Sequence, residues 1–416
     1  MTLTITPSRL AGAVTPPPSK SQAHRLLIAA ALGSGESVVR GVSHSQDMEA
    51  TLDCLEELGA EFTRRGDAVI VQGLGANAAC PLRRMAYPRL DCGESGSTLR
   101  FLIPLALALR GGGTFTGRGR LMERPQRPYF DLFEEKGISY GQRDGLLTVQ
   151  GRLTPGEYRL PGNVSSQFIT GLLYALPLLE GDSYIIPTTP VESWDYILMT
   201  MEALFAAGVA AEEPREGCPY FYVHGGQSYS AGDFTVEPDW SQAGFWYAAM
   251  YLDNPVEIQG LNPHSVQGDK VIADHFARLG REGDGDVDVS GCPDLVPPLA
   301  VMSALRPGKE TRLVNAARLR LKESDRLASV TAVLVALGAD VAEGEDFLVV
   351  RGREALPGGV TVDSYNDHRI AMMAAIAATR CQRPITLTGA EAVNKSYPSF
   401  WEEYVRLGGK IQEERA

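Results

Sequence analysis

Long apolar runs are missing from this chain. The stretch 101–109 falls far short of the ~20 apolar residues that a membrane-spanning helix needs. The first ten residues carry neither the basic start nor the apolar run of a secretion signal, so a cytoplasmic location is expected. Cysteine is sparse: six in 416 residues (Cys54, Cys80, Cys92, Cys218, Cys292, Cys381), with no C-x-x-C pair, which reads as reduced and mostly buried thiols. The six histidines form no H-x-x-x-H or mixed Cys/His cluster, so no metal site is expected. Basic charge is also short. Against 51 acidic residues stand 39 basic ones, a net charge of −12, and a broad nucleic-acid-binding face is excluded as the main business of the surface. Only seven of those 39 are lysines, so a lysine inside a polar motif marks a place that wants a compact ammonium rather than a guanidinium fork. Finally, Lys20-Ser21 is not preceded by the Gly-x-x-x-x-Gly of a phosphate-binding loop, which argues against a nucleotide kinase.

What the chain does have is repetition. Amphipathic segments ending in glycine recur at 48–59, 129–137, 196–208, 271–280, 327–338 and 400–408. Their terminal glycines are spaced by 78, 71, 72, 58 and 70 residues. Glycine is favoured there because it takes the left-handed conformation past a helix end without strain. Ahead of each lies a second kind of segment, a polar turn followed by a nearly all-apolar run: SKSQAHR, ESGSTLR, NVSSQF, PDWSQAGF, CPDLVPP and NDHR. A helix apolar all round is buried. Short strand-like stretches (68–72, 146–150, 220–223, 347–350, 385–387) separate the helices. The reading is six β/α units of about 70 residues, each with one buried and one amphipathic helix, grouped as two domains of three. The breaks are placed near Pro16-Pro17-Pro18 and in the Gly/Ser-rich segment 225–232.

The six polar turns share one position in their repeats. Small and hydroxyl residues at a helix N-terminus form an anion site, and an ordinary N-cap is the plainer alternative. Added cations favour the site: Lys20, Arg25, Arg100, Lys322, Arg326 and Arg369, with Arg124 in ERPQRP and Lys395 in NKSYP. In RLRLKESDR, Lys322 and Arg326 are four apart and share a face if helical, with Asp325 beside them and Glu323 rotated away. Asp294, between Pro293 and Val296-Pro297-Pro298, has the position of a helix N-cap.

Taken in order, PPPSKSQAHR, GESGSTLRFLIPLALAL, MERPQRP, GNVSSQFITGLL, EPDWSQAGF, PDLVPPLAVMSAL, LKESDRL and YNDHRIAM resemble the 5-enolpyruvylshikimate-3-phosphate synthase family, the 3-phosphoshikimate 1-carboxyvinyltransferases. The resemblance implies an α/β (α+β) fold of the two-domain enolpyruvyl transferase type. It would have six βαβαββ units, three per domain, buried parallel helices, and the active site in the interdomain cleft. The N-terminal domain is then 14–225; the N-terminal strand joins the other domain as 1–13 plus 226–416. The implied reaction moves the enolpyruvyl group of phosphoenolpyruvate to the 5-hydroxyl of shikimate 3-phosphate and releases phosphate. No metal or organic cofactor is implied.

Residue by residue, the resemblance gives Lys20, Ser21, Arg25, Ser165, Ser166, Gln167, Ser193, Tyr196, Asp294 and Lys322 to shikimate 3-phosphate. Lys20, Gly96, Arg124, Gln167, Arg326, Arg369 and Lys395 fall to phosphoenolpyruvate. Asp294 would serve as base for the hydroxyl with support from Lys322, and Glu323 with Lys20 would handle the methyl proton. Both substrates are polyanions: two unit charges ~5 Å apart at an effective dielectric near 20 repel by roughly 3 kcal/mol, which the cations must offset. Glu94 and Arg318 depart from the family pattern, where asparagine is usual. Glyphosate, an inhibitor of the family, is an expected ligand, and a monomer is the expected state. Two rivals remain. One is the sister transferase acting on UDP-N-acetylglucosamine, whose usual mobile-loop cysteine has no counterpart in 111–127; the other is a non-catalytic relative that binds phosphometabolites.

Overall fold

The computed structural model describes residues 1–75, 87–281 and 283–414; Cys80 lies outside them. The chain forms two compact units, a continuous one, Lys20–Glu237, and a discontinuous one, Met1–Ser19 with Pro238–Ala416. Each has its own apolar core.

The helices come in pairs. In the continuous unit these are α1 (Lys20–Leu32) with α2 (Gln46–Glu57), α3 (Gly96–Arg110) with α4 (Arg127–Lys136), and α5 (Ser166–Ala175) with α6 (Trp194–Ala206). In the discontinuous unit they are α7 (Trp240–Tyr251) with α8 (Ile272–Arg281), α9 (Val296–Ala304) with α10 (Arg326–Leu337), and α11 (His368–Ala378) with α12 (Phe400–Arg406). The first of each pair is buried on all sides: α3 hides everything from Thr98 to Leu107. The second buries one stripe, as α4 does with Tyr129, Leu132 and Phe133 at helical spacing. Where α5 crosses α3 the backbones nearly touch. A Cβ on Gly171 would stand 2.5 Å from the Arg100 carbonyl and 2.4 Å from the Tyr129 hydroxyl, so only glycine fits.

Five repeats carry a four-stranded sheet of one pattern, a parallel pair followed by an antiparallel hairpin. In the second repeat Arg89–Asp91 lies parallel to Gly112–Thr116, which pairs antiparallel with Leu146–Gln150 and through it with Ser139–Arg143. Two sheets are closed by strands distant in sequence. Asp233–Thr235 supplies the parallel strand beside Glu36–Arg40, and Thr2–Thr6 fills the place between Ile385–Thr388 and Lys410–Glu413. These pairings set the unit boundaries later than the expected 13/14 and 225/226. Gly12–Val14 pairs with Val256–Ile258, keeping 12–19 in the discontinuous unit. Tyr229–Ser230 and Asp233–Thr235 pair with strands of the first repeat, keeping 226–237 in the continuous one.

The fourth repeat departs from the βαβαββ expectation. Among the described residues it has only the two parallel strands Gly12–Val14 and Val256–Ile258, and no hairpin follows α8. This is why the glycine spacing shrinks to 58 there. Gly59, Gly137, Gly208, Gly338 and Gly408 all have positive φ and turn the chain out of their helices, whereas Gly280 does not and stays inside α8.

Candidate active site

In the discontinuous unit the turns ahead of α9, α10 and α11 meet. Asp294 sits in a 3-10 turn, Pro293–Leu295, before α9. It is not a helix cap: residue 295 holds that position without a side-chain bond, and the carboxylate turns instead to three cations. Arg326 Nη1 is 2.8 Å from Oδ1, Lys322 Nζ is 3.3 Å from the same oxygen, and Arg369 Nη2 is 3.0 Å from Oδ2. Burial alone would raise the Asp294 pKa, but Arg369, Lys322 and Arg326 outweigh it and hold the group well below the usual carboxylate range. Burial lowers the pKa of Lys322, which Asp294 partly restores.

The expected helical face carrying Lys322 and Arg326 is not how they meet. Lys322 has extended backbone at the end of the 3-10 turn Ala317–Leu321, and α10 begins only at Arg326, capped by Asp325. Asp325 points elsewhere, to Arg320 at 3.0 Å. Glu323, expected to be rotated away, lies with its Oε2 2.5 Å from Arg326 Nη2. Arg326, 1% exposed, also donates from Nε to Asp367 Oδ2 at 2.9 Å and from Nη2 to Oδ1 at 3.3 Å. Asp367 is fully buried. It caps α11 through the Arg369 N–H at 3.0 Å and accepts from the Ser324 hydroxyl at 3.1 Å. Lys395, ending the turn Ala390–Lys395, donates to the Asn366 carbonyl at 2.5 Å. Arg318 is held by the Ser290 carbonyl. Behind this cluster Asp269 is 3% exposed, and its pKa is pushed up to about 7 by burial and by the charge of Asp294.

In the continuous unit the caps are formed as the turns suggest: Ser95 accepts from the Thr98 N–H and Ser165 from the Gln167 N–H. Lys20 opens α1 and pairs with Asp47 of α2 at 2.7 Å. Gly96 faces Arg124, whose Nη1 is 2.9 Å from where a Cβ would stand, with Gln167 Oε1 at 3.6 Å. Gln167 accepts from Arg100 Nη1 at 2.8 Å and donates to Ser97 at 3.0 Å. Gly96, Arg124 and Gln167 are thus brought together. Arg25, 2% exposed, gathers a second group. It donates to the Ser21 carbonyl at 2.7 Å, the Tyr196 carbonyl at 2.8 Å and the Thr200 hydroxyl at 2.9 Å, and burial lowers its pKa to about 10, so it stays charged. The Ser165–Ser166 turn and the Ser193 turn are joined by the Glu192 N–H on the Gly162 carbonyl at 3.1 Å, and Ser193 itself has φ +55°. Glu94 lies over Gly119, where a Cβ would meet its Oε2 at 2.7 Å.

A model of the family "EPSP synthase (3-phosphoshikimate 1-carboxyvinyltransferase)" matches residues 5–404. This chain belongs to that family. Its members include the 3-phosphoshikimate 1-carboxyvinyltransferase of Clostridium beijerinckii, 42% identical over 99% of this chain and 98% of that protein. The enzyme of that name from Clostridium perfringens is 42% identical over 99% of each. Among solved structures, an EPSP synthase from Acinetobacter baumannii superposes with a TM-score of 0.80 at 24% identity, covering 99% of this chain and all of that one. The enolpyruvyl transferase NikO from Streptomyces tendae gives 0.78 at 19%, covering all of this chain and 99% of that one. At such identities the structures speak for the two-domain enolpyruvyl transferase fold. Some residues that lie against the candidate site residues escaped the sequence reading: Asp47, Asp269 and Asp367. Asp367 had a signal, since it stands in the NDHR turn beside Arg369. Asp47 and Asp269 had none beyond being acidic.

Proposed function

We propose that the protein transfers the enolpyruvyl group of phosphoenolpyruvate to the 5-hydroxyl of shikimate 3-phosphate, releasing phosphate. The observation that carries this reading is Asp294, a half-buried carboxylate held ionised by Arg326, Arg369 and Lys322 with Glu323 beside it. Simple binding of an anion would be weakened by two carboxylates in that place; proton transfer requires them. In the proposed mechanism the 5-hydroxyl gives its proton to Asp294 as it attacks C2, while Glu323 with Lys20 delivers one to C3, Lys322 steadies the charge, and the proton on Asp294 later leaves with the departing phosphate. The tetrahedral intermediate then loses phosphate and a methyl proton, the latter to Glu323 with Lys20. Both carboxylates offset positive charge developing at C2.

Phosphoenolpyruvate is assigned to Lys20, Gly96, Arg124, Gln167, Arg326, Arg369 and Lys395. Shikimate 3-phosphate is assigned to Ser21, Arg25, Ser165, Ser166, Gln167, Ser193 and Tyr196, and to Lys20, Lys322 and Asp294. Arg25 would act on the phosphate with the donors not spent on Ser21, Tyr196 and Thr200. The reading includes a monomer in the cytoplasm and inhibition by glyphosate at the Gly96 pocket. Among the described residues no helix is long and apolar enough to cross a membrane.

Phosphorus NMR of the protein with both substrates tests the reading: phosphate and the enolpyruvyl ether should appear together, only when both substrates are present. Asp294→Asn should bind both substrates and lose turnover by about 10²–10⁴-fold, the usual span for a general base. An Asn variant with near-native turnover refutes the assignment, and turnover with UDP-N-acetylglucosamine instead would move the protein to the sister transferases.

A further inference from the structure

The Lys20–Asp47 ion pair is the first of two rungs between α1 and α2. One helical turn further along each helix stand His24 and Thr51, with the imidazole Nδ1 2.8 Å from the Thr51 hydroxyl oxygen. From Thr51 the contacts continue to a third helix. Its oxygen is 2.7 Å from the Thr98 hydroxyl of α3, and Thr98 donates to the Ser95 hydroxyl at 2.7 Å. Ser95 is the N-cap of α3, and the next residue is Gly96. Thr51 also lies 3.0 Å from the carbonyl of Asp47, tying the second rung back to the first.

All four side chains of this chain are buried, His24, Thr51 and Thr98 completely. Burial, with Lys20 and Arg25 nearby, pushes the His24 pKa well below its ordinary value, so the ring is neutral. Its Nε2 meets no polar partner among the described residues and Phe101 packs edge-on against the ring, so the single proton is better placed on Nδ1. His24 then donates to Thr51 and Thr98 to Ser95, while the single Thr51 proton is shared between the Thr98 oxygen and the Asp47 carbonyl. An apolar set of side chains would hold three helices together without the desolvation cost of four polar groups. The polar chain adds register, because each bond is made at only one rotation of its helix.

We infer that His24, acting through Thr51 and Thr98, is a positioning residue for the phosphoenolpyruvate subsite, fixing the Lys20 ammonium and the Gly96 turn relative to each other. This rests on the function proposed above. Of the two groups the chain joins, Gly96 is given to that substrate alone and Lys20 to both, whereas Arg25, which serves the other substrate from the same helix, is held separately by Tyr196 and Thr200 of α6.

The test compares His24→Leu and Thr51→Val, which break the chain, with His24→Asn, whose amide can still donate to Thr51. Leu52→Ala, a neighbouring core truncation on α2, controls for loss of stability. The two breaking variants are expected to raise KM for phosphoenolpyruvate about tenfold or more while KM for shikimate 3-phosphate stays within about twofold. Combining them should add little, since both cut one network. His24→Asn should recover most of the affinity, and Leu52→Ala should lower Tm without moving either KM. Unchanged KM for phosphoenolpyruvate in both breaking variants, or an equal rise in Leu52→Ala, overturns the inference; if His24→Leu does not fold, Thr51→Val carries the same comparison. Absence of turnover in the wild type would defeat the functional reading separately. Calorimetric titration of the same set with phosphoenolpyruvate alone then decides, and equal affinities, or no binding by the wild type, overturn the inference.

Discussion

Replacing Arg326 by methionine keeps much of the side-chain volume and removes one charge from a balanced set. Arg326, Arg369 and Lys322 face Asp294, Glu323 and Asp367, three cations against three carboxylates. Without Arg326 the carboxylates outnumber the cations by one, and fully buried Asp367 loses both its guanidinium bonds while keeping those from the Ser324 hydroxyl and the Arg369 N–H. Removing one partner of a buried pair typically costs about 3–5 kcal/mol. A second estimate comes from the cheapest escape open to the folded variant, which is to take up a proton. For a carboxyl group of ordinary pKa near 3.9 that costs about 4 kcal/mol at pH 7 and about 1.5 kcal/mol at pH 5. The two estimates agree at neutral pH, and the second fixes the pH dependence.

The sign follows from proton binding. Between pH 5 and 7 the folded variant holds one more proton than its unfolded chain, so its stability falls as pH rises, by about 1.4 kcal/mol per unit. Asp294 in the wild type, with its pKa depressed, stays ionised throughout and adds no slope in this window. Urea unfolding followed by tryptophan fluorescence suits the test. Trp240, Trp246 and Trp401 lie in the same unit as Arg326 and only Trp194 in the other, so the signal reports chiefly the affected unit. The expected loss is about 4 kcal/mol at pH 7, shrinking to about 1.5 at pH 5. A loss of the same size at both pH values refutes the charge-balance argument, and a loss under about 1 kcal/mol at pH 7 refutes the burial argument as well.

Asp269 titrates upward, its folded pKa of about 7 lying above the unfolded value, so it binds more protons folded than unfolded. Its contribution should fade as pH rises from about 4 to 7, and Asp269→Asn should flatten that decline in a Tm-against-pH series; an unaltered slope would show that the carboxyl ionises normally. Gly96→Ala places a methyl 2.9 Å from Arg124 Nη1 and should raise KM for phosphoenolpyruvate more than KM for shikimate 3-phosphate; equal effects on both would contradict the pocket assignment. Gly171→Ala drives a carbon to 2.5 Å from the Arg100 carbonyl, where two backbones meet, and should cost about 1–3 kcal/mol in denaturant unfolding; a neutral result would mean that α3 and α5 separate freely.

The starts of the buried helices were legible because their signal is local: a polar turn, then an apolar run. All six openings lead into helices, α1, α3, α5, α7, α9 and α11. The missing hairpin also left its mark in the 58-residue spacing, though a gap does not say which element is absent. Strand partners were not legible. Nothing in Thr2–Thr6 names Ile385–Thr388, since alternation fixes which face is buried and not which distant strand lies beside it. The candidate cations were found by their chemistry, and one of their counter-charges was missed by the same logic. A search for anion sites collects Arg326 and Arg369 and passes over Asp367, which touches both turns and has no part in the implied reaction. Yet an empty pocket of bare guanidinium groups would repel itself, so Asp294, Glu323 and Asp367 must neutralise Arg326 in the folded chain before any substrate arrives. The carboxylates proposed for catalysis therefore also stabilise the folded chain. That double duty is why the variants at Arg326 and Asp294 have to be read for stability and turnover together.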